Sequence, residues 1–190
     1  MRIVKIIGIE GSPRKNGNTE KLVRRVLSGV EEAGGTTEFF KLADLTINHC
    51  QGCGACRATG ACVMPDDMDR LVEAIQASDA VVLGSPIYVW QVSGMTKVFM
   101  DRLCRLLTPT YQSRLNGPKK IAFAYTQGNP DVDLFKPYFE YQEKVFPFLG
   151  FTWAGRIQAA GTRTKEDILA QEETLVKAGL LGRDLVVAER

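Results

Sequence analysis

The stretch Ile3-Val-Lys-Ile-Ile-Gly-Ile9, running directly into Glu10-Gly-Ser-Pro-Arg-Lys-Asn-Gly-Asn18-Thr19, sets the fold class. Its first seven residues are rich in β-branched side chains and are apolar on both faces apart from Lys5. A strand of that kind belongs in the middle of a parallel sheet with helices on both sides. The next ten residues hold two glycines, a proline and two asparagines, which makes them a loop. A helix follows from about Asn18 to Ala33, with Leu22, Val23, Val26, Leu27 and Val30 as its apolar stripe and Gly34-Gly35 as its stop.

A strand, a polar loop and a helix N-terminus in succession make an anion site, because the first turn of a helix offers unpaired N–H groups and a positive dipole end. Ser12, Asn16, Asn18 and Thr19 add neutral donors, and Arg14 or Lys15 adds charge. The loop is neither G-x4-G-K-[ST] nor G-x-G-x-x-G. A plain βα turn with Asn18 or Thr19 as the helix cap is the simpler alternative.

Outward from this unit the same alternation repeats. Strands are expected over Thr36–Leu42, Asp79–Gly84, Lys119–Thr126 and Phe151–Ala160. Helices are expected from Pro65-Asp66-Asp67, with both carboxylates as caps, over Gly94–Leu107, over Asp131–Leu149 with breaks at Pro137 and Pro147, and over Lys165–Ala188 with Gly179 and Gly182 as weak points. Lys97, Asp101 and Arg105 stand at i,i+4 spacing for ion pairing on an outer face. Asp101 and Arg102 are candidates for a subunit contact, and Cys104 is read as a packed side chain. The order βαβαβαβαβα predicts an α/β, doubly wound, five-stranded parallel sheet of order 2-1-3-4-5. Ligands in that order sit beyond the carboxyl ends of the strands, at the switch between strands 1 and 3. The loops converging there are Ser12–Thr19, Pro86–Gly94 with Ile87, Tyr88 and Trp90, and the turn holding Gln127 and Gly128. A phosphate cradle beside an apolar, aromatic loop suits a flat ring on a phosphorylated tail. FMN fits, with its phosphate at Ser12–Thr19 and its ring against Pro86–Trp90, where Tyr88 or Trp90 would cover it.

One stretch lies outside this pattern. Cys50-Gln-Gly-Cys53-Gly-Ala-Cys56-Arg-Ala-Thr-Gly-Ala-Cys62 carries four of the five cysteines at C-x2-C-x2-C-x5-C spacing, with no helical or strand period. Glycines let such a backbone curl so that thiolates converge. A 4Fe–4S cluster takes four thiolates from similarly compact runs. Structural zinc is the competitor, with His49 available to complete a site, although zinc sites usually use two more widely separated pairs. Redox-active thiols without metal are the third reading.

At 190 residues, 45% hydrophobic, 24% charged and with a net charge of +2, the chain has the size of one domain, and its charge gives no argument for nucleic acid or a membrane surface. Lys5 and the shortness of the N-terminal apolar run argue against a signal peptide, so a cytoplasmic location is expected.

Gly11-Ser-Pro-Arg-Lys-Asn-Gly-Asn-Thr19, Ser85-Pro-Ile-Tyr88 with Ser93-Gly-Met-Thr-Lys97 through Asp101-Arg102, and the four cysteines followed by Asp66-Asp67-Met68 resemble the iron–sulfur flavoproteins. These are a branch of the NADPH-dependent FMN reductase (flavodoxin-like) family. The resemblance covers roughly residues 1–130. It implies a single flavodoxin-like FMN-binding domain over 1–190, with a cluster loop at about 48–64 and a 4Fe–4S cluster on Cys50, Cys53, Cys56 and Cys62. It also implies a homodimer or homotetramer in which the cluster lies near a neighbouring subunit's flavin, with NAD(P)H or a partner such as ferredoxin exchanging electrons. No side chain is nominated as catalytic, since the cofactors carry the redox chemistry. The alternatives are an NAD(P)H-dependent FMN or quinone reductase without a cluster, and a zinc-stabilised or thiol redox-sensing binding module.

Overall fold

The computed structural model describes residues 2–187. Five parallel strands, β1 (Lys5–Glu10), β2 (Thr36–Lys41), β3 (Ala80–Tyr88), β5 (Lys119–Thr126) and β6 (Phe151–Ala159), lie in the order β2-β1-β3-β5-β6. Counting parallel strands only, this is the expected 2-1-3-4-5. A sixth strand, β4 (Gln91–Val92), pairs antiparallel with the end of β3 and was not foreseen. Ile6, Ile7 and Ile9 of β1 are fully buried, as expected of a central strand with both faces covered.

Helices α1 (Asn18–Glu32) and α6 (Glu172–Val187) cover one face. The other face carries α3 (Met68–Ala77), α4 (Gly94–Arg102) and α5 (Lys136–Phe148). There Phe123, Tyr125, Phe139 and Phe146 stack or meet edge-on. A short helix α2 (Ala55–Thr59) lies inside the cysteine stretch.

Several expectations change. The third strand runs on through Ser85–Tyr88, read from sequence as loop, because Ser85 and Pro86 keep register with Tyr125 and Thr126 of β5. Proline is a poor strand residue where its N–H is needed, but here it stands near the end of the ladder. Helix α5 is continuous: Pro137 occupies the first turn, where no N–H is required, and Pro147 falls in the last. The predicted helix over Gly94–Leu107 ends at Arg102 and tightens into a 3-10 turn, Leu103–Leu106. The closing helix begins at Glu172 after a separate 3-10 turn, Asp167–Ala170, and Ala188 lies outside the described residues. Gly179 and Gly182 are not weak points but the seam between α6 and α1. A Cβ on Gly182 would come within 1.9 Å of the Val26 carbonyl oxygen, and one on Gly29 within 2.0 Å of the Gly179 carbonyl oxygen. The propensity cost of glycine in a helix is offset by this close backbone approach.

Candidate functional site

The carboxyl ends of β1, β3 and β5 open into a cleft of about 330 Å³. Ser12, Arg14, Asn18 and Thr19 line it from the first loop and the start of α1. Pro86, Ile87 and Tyr88 line it from the end of β3, and Gln127 and Gly128 from the turn after β5. Nine of the eleven predicted cofactor residues are thus brought to one place.

Local geometry explains how. The Ser12 hydroxyl accepts the Arg14 N–H at 3.1 Å and curls the loop, while Gly11 N–H donates to the Gly84 carbonyl at 2.9 Å and pins it to β3. Helix α1 begins after Gly17, which supplies no side-chain cap. Asn18 and Thr19 are therefore not its caps, and the first N–H groups stay available at the cleft. Asn18 instead reaches across the molecule: its Nδ2 donates to the Thr164 carbonyl at 2.5 Å and its Oδ1 accepts from Ile168 N–H at 3.1 Å. The Thr19 and Thr126 hydroxyls are 2.7 Å apart.

Asn16 and Trp90 stand outside the lining. Asn16 takes a left-handed turn, φ 54°, and donates its N–H to Glu20 at 3.0 Å. Trp90 is 65% exposed at the tip of the β3–β4 hairpin and meets Phe135 edge-on at 6.0 Å. Both tip residues, Val89 (φ 47°) and Trp90 (φ 63°), are left-handed, which is uncommon for bulky side chains. Sequence reasoning missed Thr126, Thr162 and Arg163, which also line the cleft. Thr162 and Arg163 follow β6 in Gly161-Thr-Arg-Thr164, a polar turn after a strand. This is the same signal that located the other loops.

Beneath the loop, Glu10 is fully buried. Its Oε1 accepts the Ser12 N–H at 2.9 Å, and its Oε2 has no partner. Burial pushes its pKa up to about 7, against the opposing pull of Ser12 N–H and Lys41, with Glu20 and Asp44 adding to the rise. A hydroxyl knot joins loop to hairpin: Ser93 N–H donates to Ser85 Oγ at 3.0 Å, Thr96 Oγ1 to Ser85 Oγ at 3.1 Å, and Ser93 Oγ to the Gly11 carbonyl at 2.5 Å.

A second cavity, about 420 Å³, is ringed by Cys50, Cys53, Cys56 and Cys62. Gly52, Gly54 and Gly60 are all left-handed, with φ of 67°, 75° and 80°, and the latter two bracket α2. Nothing lies within 4 Å of an ideal Cβ at Gly52 or Gly54. Among the described residues no three Cys, His, Asp or Glu side chains close on a single ion. The thiols surround a space instead, and a set of thiolates around a cavity fits a multi-atom cluster better than one zinc ion. His49 is exposed and takes no part in the lining.

Side chains from elsewhere hold this loop. Arg102, read from sequence as a surface residue, is 2% exposed. Its guanidinium donates to the Asn48 carbonyl at 2.8 Å and to both Asp66 oxygens at 2.6 and 3.0 Å, and it lies against Cys62. Asp66 also accepts the Asn48 and Met68 N–H groups. One ion pair thereby joins the residues before Cys50 to those after Cys62. Burial alone would raise the Asp66 pKa, but Arg102 and the two N–H groups bring it down to about 2. The capping role expected of Asp66 is only its bond to Met68, and Asp67 turns back to accept Thr46 N–H at 2.7 Å. Arg105 leaves the expected Asp101 pairing to bond Asp69 and the Gly60 carbonyl. Arg114 bonds the Arg57 and Ala58 carbonyls. Cys104, expected to be merely packed, faces the cavity with its sulfur 3.8 Å from that of Cys56. Burial, then Cys56 and Cys50, pushes its pKa up to about 12.

Comparison with known proteins agrees with this layout. An iron–sulfur flavoprotein of Methanocaldococcus jannaschii is 46% identical over 99 residues, 52% of this chain and 51% of that protein. The chain spans about half the length of the first such curated relatives it matches. The structure of an NAD(P)H:quinone oxidoreductase from Methanothermobacter marburgensis superposes with a TM-score of 0.79 at 18% identity, over 97% of this chain and 98% of that one. An FMN-dependent NADH-azoreductase of Bacillus anthracis, solved with FMN, gives 0.72 at 15%, over 97% and 100%. At such identities the two structures speak for the fold. The family model for NADPH-dependent FMN reductase matches residues 4–134, and the chain belongs to that family.

Proposed function

We propose that this chain is an FMN-binding redox flavoprotein that passes electrons between the flavin and a 4Fe–4S cluster. The observation that carries the reading is the pairing of two sites in one chain. One is an uncapped helix N-terminus with hydroxyl donors at the strand switch, and the other is a cavity ringed by four thiols whose loop is held by a buried ion pair. The N–H groups at the start of α1, with Ser12, Thr19 and Arg14, would bind the phosphate of FMN. Pro86–Tyr88 and Gln127–Gly128 would orient its ring. Cys50, Cys53, Cys56 and Cys62 would hold the cluster. When bound, a flavin exchanges electrons in pairs or singly and a cluster singly, so the chain's own work is to position and shield them. The names of the archaeal relatives support the cluster, and the FMN-bound azoreductase of the same fold supports the flavin. NAD(P)H or a ferredoxin-like protein is the proposed exchange partner, and a homo-oligomer the proposed assembly. No helix among the described residues is long and apolar enough to cross a membrane.

A second reading, an NAD(P)H-dependent FMN or quinone reductase without a cluster, is favoured by the likeness to the quinone oxidoreductase. Anaerobic purification, an absorption spectrum, and iron and acid-labile sulfide assays on one sample separate the two. Flavin bands with about four irons per chain, the content of a 4Fe–4S cluster, support the electron-transfer reading. Flavin without iron leaves the reductase, and zinc without flavin removes both.

A further inference from the structure

The four-cysteine motif accounts for every thiol a 4Fe–4S cluster requires, and Cys104 is a fifth. It arrives from the 3-10 turn after α4, 48 residues beyond Cys56, and the two sulfurs stand 3.8 Å apart. Of the other motif thiols, Cys62 lies against Arg102 and Cys53 is exposed; Cys50 also faces Cys104, but the sulfur-to-sulfur contact in place is that of Cys56. A disulfide needs the sulfurs about 2 Å closer. Helix α2, which carries Cys56, is five residues long and lies between left-handed Gly54 and Gly60; closing the gap calls for a rotation of α2 about those glycines against the hold of Arg114 on the Arg57 and Ala58 carbonyls.

We propose that Cys56 and Cys104 form a reversible disulfide in the metal-free protein, closing the cavity by withdrawing one of its four ligands. The oxidant is a small-molecule disulfide such as glutathione disulfide. One protein thiolate attacks it, forming a mixed disulfide and releasing one glutathione thiolate. The second protein thiolate attacks the protein sulfur of that mixed disulfide and releases the other. Two electrons pass from the protein thiols to glutathione disulfide, and the two protons leave on the two glutathione thiols. The disulfide rests on sulfur geometry alone. Only its consequence for metal rests on the proposed role of Cys56 as a ligand.

The test uses the full chain, metal-free and reduced, titrated anaerobically with glutathione disulfide, then alkylated, digested with trypsin and analysed by mass spectrometry. Cleavage after Arg57, Arg102 and Arg105 leaves Cys104 in a three-residue peptide separate from Cys56. The expected result is a fall from five free thiols to three. The cross-link to the Cys104 peptide should survive Cys50→Ser and Cys53→Ser and vanish in Cys56→Ser. The oxidised protein should take up no iron until treated with dithiothreitol, and Cys104→Ser, never oxidised, should load iron as the native chain does. A disulfide confined to Cys50, Cys53 and Cys56, a Cys104 link that survives Cys56→Ser, or no loss of thiols overturns the pairing, whatever the flavin and iron assays give. Loss of iron loading in unoxidised Cys104→Ser overturns it too, by making Cys104 a ligand.

Discussion

The cleft at the strand ends and the cysteine cavity are held in place by different forces. The cleft is backbone architecture: its lining segments issue from the ends of β1, β3, β5 and β6, whose register fixes them, and Gly11 is bonded straight to β3. The cysteine loop crosses no strand. Its shape depends on Arg102 at the end of α4, Arg105 in the following turn and Arg114 beyond it, which reach its carbonyls and the carboxylates that follow it. A site built on hydrogen-bonded ladders keeps its form when a surface charge changes, and a site built on buried ion pairs does not. Chemical insults should therefore separate the two.

The largest separation is expected from Arg102→Ala. Removing one member of a buried pair strands the other, at a cost of about 3–5 kcal/mol. Asp66, its side chain 1% exposed, would be left a buried carboxylate with only the Asn48 and Met68 N–H groups to offset its charge. Chemical denaturation should show that loss, and iron binding should vanish while flavin titration still saturates. Flavin lost in step with iron would mean that the two sites are not separately built.

Next in size is Glu10. Its native pKa of about 7 lies above the ordinary 4.5, so the folded chain holds this proton more tightly than the unfolded one. Stability attributable to Glu10 is greatest below pH 4.5 and declines as pH rises to about 7, by up to about 3 kcal/mol. Glu10→Gln should match the native protein at low pH and exceed it above neutrality. Parallel melting curves across pH would break this picture.

Asp66 gives the opposite sign. Its pKa of about 2, against an ordinary 3.8, supplies about 2 kcal/mol that is fully present above pH 4 and lost as pH falls through 2. Acid unfolding of Asp66→Asn should lack that component. The smallest effect belongs to the cleft: Thr19→Ala should weaken FMN binding by about 1 kcal/mol, the net worth of a hydrogen bond, measured by flavin fluorescence titration. Unchanged affinity would move the phosphate away from α1.

Sequence reasoning reached the cleft because strand ends and their polar loops are local signals. The apolar run before Glu10, the glycines at 11 and 17 and the turn at Gln127–Gly128 each announce themselves within a few residues. The tertiary partners were out of its reach. The i,i+4 pattern put Arg105 with Asp101 on an outer face. Nothing near Arg102 tells of Asp66, 36 residues away, or near Cys104 of Cys56. The β3–β4 hairpin was hidden for another reason. Val89-Trp90 lacks the Asn-Gly or Gly-rich signal that such turns normally carry, and the pairing of Ile87 with Val92 and Tyr88 with Gln91 makes it a turn.

The glycine seam between α1 and α6 bears on how the protein can be dissected. Every recognisable motif lies within residues 4–134, the span of the family match, which invites the belief that those residues form a minimal flavin module. Yet α1, whose first turn opens the cleft, rests its far side directly on the backbone of a helix that begins only at Glu172. A chain cut after residue 134 keeps the family's motifs but loses Thr162 and Arg163 from the cleft wall, together with the surface that aims α1.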